Sequence, residues 1–147
     1  MGSAPTGIRN ARAADAAELA RLAGELGYPM SAAEMTRRLG VLLKNDRHYV
    51  AVAATGKDLF GCMHVEHRFS LAEGERAEIM GLIVDPSARG QGLGRDLVDG
   101  AESWARARGL SVVTVRSNVV RELSHPFYAA LGYSREKTQH VYRKKLA

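Results

Sequence analysis

The sequence predicts an α/β fold: a single domain with a mixed central β-sheet flanked by helices. Three observations carry it. Ile79 to Val84 is an apolar, β-branched run of strand length, and an amphipathic helix separates it from a second such run, Val112 to Val115. A strand, a crossover helix and another strand pair in parallel. Upstream, His48 to Ala54 and Leu59 to Glu66 are strand-like runs joined by Thr55-Gly56-Lys57-Asp58, which is hairpin chemistry and makes that pair antiparallel. Both pairings must share one sheet, because 147 residues suffice for one core and are too few for two.

In chain order, residues 1–7 (MGSAPTG) carry no signal-peptide pattern and read as a disordered tail or cloning residue, leaving 8–147 as the domain. Ile8 to Ala11 reads as a short first strand. Asp15 to Leu26 predicts a helix, since Leu19, Leu22, Ala23 and Leu26 fall at i, i+3, i+4 and i+7, and Gly27 with Pro29 stops it. Ser31-Ala32-Ala33-Glu34 has capping-box spacing and opens a second helix with the stripe Met35, Leu39, Leu42 and Leu43. The joining segment Gly27-Tyr28-Pro29-Met30 is apolar for a loop, which suits either a staple onto the core or the wall of a binding pocket. Phe69 to Glu75 reads as a polar connection into the central strand. The helix after Gly94 carries Leu97, Val98, Ala101 and Ala105 on one face and ends at Gly109. A last helix holds Phe127, Tyr128 and Leu131, with Pro126 in its first turn and Gly132 closing it. Tyr133 to Lys137 and Val141 to Leu146 read as two final strands. The expected order is β-α-α-β-β-β-α-β-α-β-β.

Composition narrows the function. No apolar run approaches the roughly 20 residues of a membrane helix, so no membrane partner is expected. The single cysteine, Cys62, cannot form an internal disulfide, which points to a reducing, cytoplasmic setting and reads as a small core residue. The net charge of +5 suits polyanionic ligands, but no basic run with interleaved aromatics supports nucleic acid as a partner. No set of His, Cys and carboxylates has metal-ligand spacing.

The informative stretch is Glu78 to Val98. After the strand come Asp85-Pro86-Ser87-Ala88, which is turn chemistry, and Arg89-Gly90-Gln91-Gly92-Leu93-Gly94, which opens a helix. The unpaired N–H groups of a helix start, with glycines that admit close approach, make an anion site. The dinucleotide spacing G-x-G-x-x-G fails because residue 95 is arginine, and no Lys-Ser or Lys-Thr completes a P-loop.

What does match is R-x-x-G-x-G, filled by Arg89, Gly92 and Gly94 after a strand ending Val84-Asp85-Pro86. This resembles the pyrophosphate motif of the GCN5-related N-acetyltransferase (GNAT) superfamily, and Phe127, Tyr128, Leu131, Gly132 and Tyr133 resemble that family's late F-Y-x-x-L-G-Y pattern. The resemblance implies a GNAT-like fold and an acetyl-CoA-dependent N-acetyltransferase, with acetyl-CoA as cosubstrate. Its pantetheine arm would lie in a V-shaped gap and pair with the backbone of Leu82, Ile83 and Val84. Its pyrophosphate would sit on Arg89, Gly90, Gln91, Gly92, Leu93, Gly94 and Arg95. Tyr128 would protonate the departing thiolate, and the N–H of Ile83 would hold the oxyanion. Arg121 stands where many members have asparagine.

The acceptor implied is an amine of a small molecule or peptide, and a homodimer is compatible with the family. An amine with a pKa near 10.4 must lose a proton before it attacks. Glu78 is the first candidate to take it, sharing a face with Met80, Leu82 and Val84 by strand alternation unless a bulge intervenes. Glu66, His64 and His125 stand next. The alternative on the same fold is a non-catalytic acyl-CoA-binding regulatory module.

Overall fold

The computed structural model describes residues 6–116 and 124–147. The chain divides into two compact units, Met1–Arg116 and Ser117–Ala147. The first contains β1 (Gly7–Asn10), α1 (Ala16–Glu25), α2 (Ala32–Leu43), β2 (His48–Thr55), β3 (Asp58–Ser70), β4 (Gly74–Val84), α3 (Leu93–Ala107) and β5 (Val113–Val115). The strands form one mixed sheet in the order β1-β2-β3-β4-β5, antiparallel throughout except for the parallel pair β4–β5 that the α3 crossover dictates. The β1 strand begins one residue ahead of the expected tail boundary, and the rest of that tail, residues 1–5, lies outside the described residues.

Each face of the sheet has its own apolar layer. On one, α3 buries Leu93, Leu97, Val98, Ala101 and Ala105, and the strand register sets Ala51, Met63, Val65 and Ile79 against it. Gly61 lets the layers close up, since a Cβ there would lie 3.0 Å from the Ile83 carbonyl oxygen and 3.1 Å from Leu97 Cδ1. On the other face, Leu19 and Leu22 of α1 and Leu39 of α2 pack on Val50, Val52 and Leu59, with Met35, Leu42, Cys62 and Ile83 at the margin.

Several local expectations change. The stretch 69–75 is no open connection: β3 runs to Ser70 and β4 starts at Gly74, so the two form one long hairpin, its ladder running from Ser70↔Gly74 to Gly61↔Val84. Polar residues there alternate across paired strands, and pairing rather than hydropathy makes the strand. Ser31 caps α2 through Oγ, which accepts from Glu34 N at 3.0 Å. The reciprocal half of the capping box is absent because the Glu34 carboxylate is drawn to Arg37 and Arg38, both at 2.7 Å. Leu43 is exposed at the end of its helix.

The second unit holds α4 (Ser124–Ala130), closed by Gly132 at φ 92°. The two strands expected at 133–137 and 141–146 do not form, and Val141, Tyr142 and Leu146 are exposed. A two-stranded ribbon without a sheet to join is marginal in water, whatever its β-propensity.

Candidate active site

The turn after β4 is held from both sides. The Asp85 carboxylate accepts from Ser87 N at 2.9 Å, Ser87 Oγ at 2.8 Å and Arg21 Nη1 on α1 at 2.7 Å, while Asp85 N donates to Phe60 O at 2.8 Å. Arg21 above all, with the Ser87 donors, holds the Asp85 carboxyl down at about 2. Arg21 Nη2 also donates to Leu59 O at 2.8 Å, so one guanidinium ties helix, hairpin and turn together.

Beyond the turn, Gly90 and Gly92 take φ of 82° and 80°, where a side chain would be strained. Gly92 is the N-cap of the 15-residue α3, whose first turn closes with Asp96 N donating to Gly92 O at 3.0 Å. Among the described residues, the N–H groups of Gly92, Leu93, Gly94 and Arg95 meet no backbone acceptor. The loop therefore presents a fan of donors at the positive end of a long helix, with Arg89, Gln91 and Arg95 exposed around it.

Among the described residues β5 pairs with β4 at Ala77↔Val113, Glu78↔Thr114 and Ile79↔Val115, and from Met80 to Val84 the partner described for β4 is β3. The last of these β4–β5 pairs lies at a bulge: His64 pairs with Gly81 and Val65 with Ile79, so Met80 is the extra residue. Leu82, Ile83 and Val84 thus run along an edge with no strand partner on the β5 side among the described residues. Such an edge can take an extended, amide-bearing ligand.

The bulge also reverses the side-chain phase. Glu78 does not share a face with Met80, Leu82 and Val84; the register sets it with Gly81 and Ile83, on the α1–α2 side. It is 2% exposed. Arg68 Nη1 lies 2.8 Å from Oε2, Arg116 Nε 3.3 Å from Oε2 and Arg76 Nη2 3.5 Å from Oε1, and Thr114 Oγ1 donates to Oε1 at 3.2 Å. Glu78 is the centre of an ion cluster in which Arg76 is also buried, while Arg68 and Arg76 reach a second carboxylate each, Glu66 and Glu73.

Along the same face, His48, Glu66, Glu78 and Thr114 lie in one row across β2, β3, β4 and β5. His48 Nδ1 is 2.9 Å from His64 Nε2, and His48 Nε2 is 3.3 Å from Glu66 Oε2. Burial first, and the neighbouring His48 second, push His64 down to about 4. Sequence reading missed His48, Arg68, Arg76 and Arg116, and it missed Arg21. The alternation His64, Glu66, Arg68 on β3 with Arg76, Glu78 on β4 was the available signal for Arg68 and Arg76; His48, Arg116 and Arg21 join through pairings distant in the chain.

In the second unit, Tyr128 is half-buried on α4, edge-on to Phe127 at 5.1 Å and to Tyr133 at 6.0 Å between ring centres, and its carbonyl accepts from Tyr133 N at 3.0 Å. His125 opens the same helix, and Arg121 lies outside the described residues. Burial pushes the Cys62 thiol up to about 12, which suits a packing role. Among the described residues no cluster of His, Cys, Asp or Glu could hold a metal, and no helix is long and apolar enough to cross a membrane.

The sequence model of the acetyltransferase (GNAT) family matches residues 14–133. An aminoglycoside N(6')-acetyltransferase type 1 of Stenotrophomonas maltophilia is 31% identical over 96% of this chain and 92% of its own length. An uncharacterized N-acetyltransferase of Bacillus subtilis, YhdJ, is 35% identical over 52% of this chain, and the match spans 54% of that protein. Among solved structures, the aminoglycoside N-acetyltransferase AAC(6')-Iy in complex with CoA shares the fold at a TM-score of 0.87 and 19% identity, over 99% of this chain and 98% of that one.

Proposed function

The chain belongs to the acetyltransferase (GNAT) family, and on that premise we propose that it transfers the acetyl group of acetyl-CoA directly to an amine of a small molecule or peptide. The observation that carries this is the donor loop Gly92–Arg95 at the end of β4, next to an edge at Leu82–Val84 that has no β5 partner among the described residues. The pantetheine amides take the edge of Leu82, Ile83 and Val84, and the pyrophosphate takes the loop from Arg89 to Arg95. Hydrogen bonds to charged groups contribute about 1.5–3 kcal/mol each, so a few suffice for micromolar binding. The Ile83 N–H stands beside the thioester carbonyl as oxyanion donor, and Tyr128 supplies the proton for the thiolate. Glu78 serves by holding Arg116 of the β5 end to β4, which keeps the apex of the gap closed.

The proposed acetyltransferase domain takes in residues 7–147, with β1 at its start, and the lone Cys62 supports a reducing, cytoplasmic setting. The relative from Stenotrophomonas maltophilia makes an aminoglycoside amine the first acceptor to test, beside alkylamines and peptide N-termini. The experiment is acetyl-CoA consumption with that acceptor panel, alongside melting curves with CoA. At CoA concentrations 100-fold above its Kd, binding adds about 2.7 kcal/mol of stability. Turnover with at least one amine and a dose-dependent rise in Tm are expected; no Tm shift at millimolar CoA overturns the reading.

A further inference from the structure

We propose that His64 takes the proton from the acceptor amine, with His48 and Glu66 as positioning residues that carry the charge to solvent; this rests on the acetyltransferase reading above. In the relay His48 is neutral with its hydrogen on Nε2, the nitrogen 3.3 Å from Glu66 Oε2. His48 Nδ1 is then a lone pair, and its 2.9 Å contact with His64 Nε2 requires the hydrogen on that nitrogen. His64 Nδ1 is left with a lone pair and can accept.

Its location fits the task. His64 pairs with Gly81 across β3–β4, beside the Met80 bulge and just past the last β4–β5 pair among the described residues. Among those residues a Cβ built on Gly81 would meet nothing within 4 Å, which leaves room above β4 next to the imidazole. An amine entering there has His64 on one side and the β4–β5 gap on the other. Neighbouring strands lie about 5 Å apart, which puts the ring within reach of the amine directly or through one water.

Burial disfavours a lasting charge on His64, and the relay removes that difficulty. As the ammonium N–H breaks, a proton binds His64 Nδ1; the one on His64 Nε2 passes to His48 Nδ1, and the one on His48 Nε2 passes to Glu66 Oε2. Glu66 is partly exposed and hands it to water. The freed amine lone pair forms the C–N bond, the C–S bond breaks, and its electron pair leaves on the thiolate. The nitrogen then sheds its second hydrogen, the thiolate takes one from Tyr128, the shed proton restores the Tyr128 phenol by way of water, and one proton in all reaches solvent; the two imidazoles regain their starting tautomers by exchange with water before the next turnover.

The test compares two amines at neutral pH: an alkylamine with a pKa near 10, and an alkoxyamine that is already neutral. The kcat of His64→Gln should fall by about 10²–10⁴ with the alkylamine and by less than about tenfold with the alkoxyamine. The Kd for acetyl-CoA should stay unchanged, and imidazole should restore part of the alkylamine rate to His64→Ala. His48→Asn and Glu66→Gln should show the same selectivity at about tenfold, which keeps the proposal testable if His64 variants fold poorly. Full alkylamine turnover by His64→Gln, or equal losses on both amines in every variant, overturns it. Wild-type protein that binds acetyl-CoA yet acetylates no amine overturns the acetyltransferase reading itself, and this proposal with it.

Discussion

The donor loop and the polar face of the sheet are built from different materials. From Asp85 to Arg95 the working groups are backbone N–H donors, placed by two left-handed glycines and a helix start. Across His48, His64, Glu66 and Glu78 the working groups are side chains brought together from three strands by register. Backbone donors survive every substitution except proline and can otherwise only be obstructed, so changes at the loop should alter acetyl-CoA Kd. Side chains on the polar face can be removed singly, so changes there should alter turnover or its dependence on proton supply. Under the proposed function the contrast separates holding acetyl-CoA from handling the acceptor.

The largest expected effect tests the chemical side. Tyr128→Phe keeps the ring packing and removes one donor, so kcat should fall by roughly 10²–10⁴, at the low end because a thiolate leaves tolerably without a proton. Acetyl-CoA Kd should stay within about twofold, and the loss should shrink with a thioester of a more acidic thiol. Unchanged kcat with chemistry rate-limiting would make Tyr128 a packing residue.

Acid stability reads the polar face without any substrate. His64 is neutral in the fold down to about 4, whereas an unfolded chain binds that proton near 6.5. Between those values the unfolded state holds more protons, so stability falls as pH drops through the window, by at most about 3 kcal/mol. His64→Gln should flatten urea-unfolding free energies across that range. A wild type whose stability is level from pH 6.5 to 4 would contradict the burial of the neutral ring.

At the loop, Gly94→Val places bulk where phosphate is expected while leaving a helical backbone position. Acetyl-CoA Kd should rise about tenfold to a hundredfold, the loss of one or two charged hydrogen bonds, and Tm without ligand should move little. Gly92→Val is the poorer probe, because at φ 80° it strains the helix cap as well. Calorimetry that finds wild-type affinity in Gly94→Val would detach the loop from the cofactor.

The smallest effect is at the loop's anchor. Arg21→Gln frees the Asp85 turn but breaks pairs at a side chain that is substantially exposed, so about 1 kcal/mol or less of stability should be lost. Acetyl-CoA Kd should rise a few-fold with kcat intact. A larger drop in kcat than in affinity would mean the anchor shapes the chemistry too.

Much was legible in the sequence because much of the molecule is local. The α3 stripe, the stops at Gly27, Gly109 and Gly132, the Gly56-Lys57 hairpin turn and the Ser31 cap follow from side-chain period and the φ each residue permits. The donor loop belongs with them, since strand, turn and helix start are consecutive and one motif contains them all. What tertiary structure alone decided depends on partners distant in the chain. Strand alternation sets Glu78 on the face of Met80, Leu82 and Val84, whereas the Met80 bulge puts it on the α1–α2 side among Arg68, Arg76 and Arg116. The runs at 133–137 and 141–146 have strand composition and form no strand, since a strand exists only with a neighbour to hydrogen-bond. Local dihedral preference is written residue by residue, whereas register is a property of pairs, and one extra residue in a ladder moves every side chain beyond it to the opposite face.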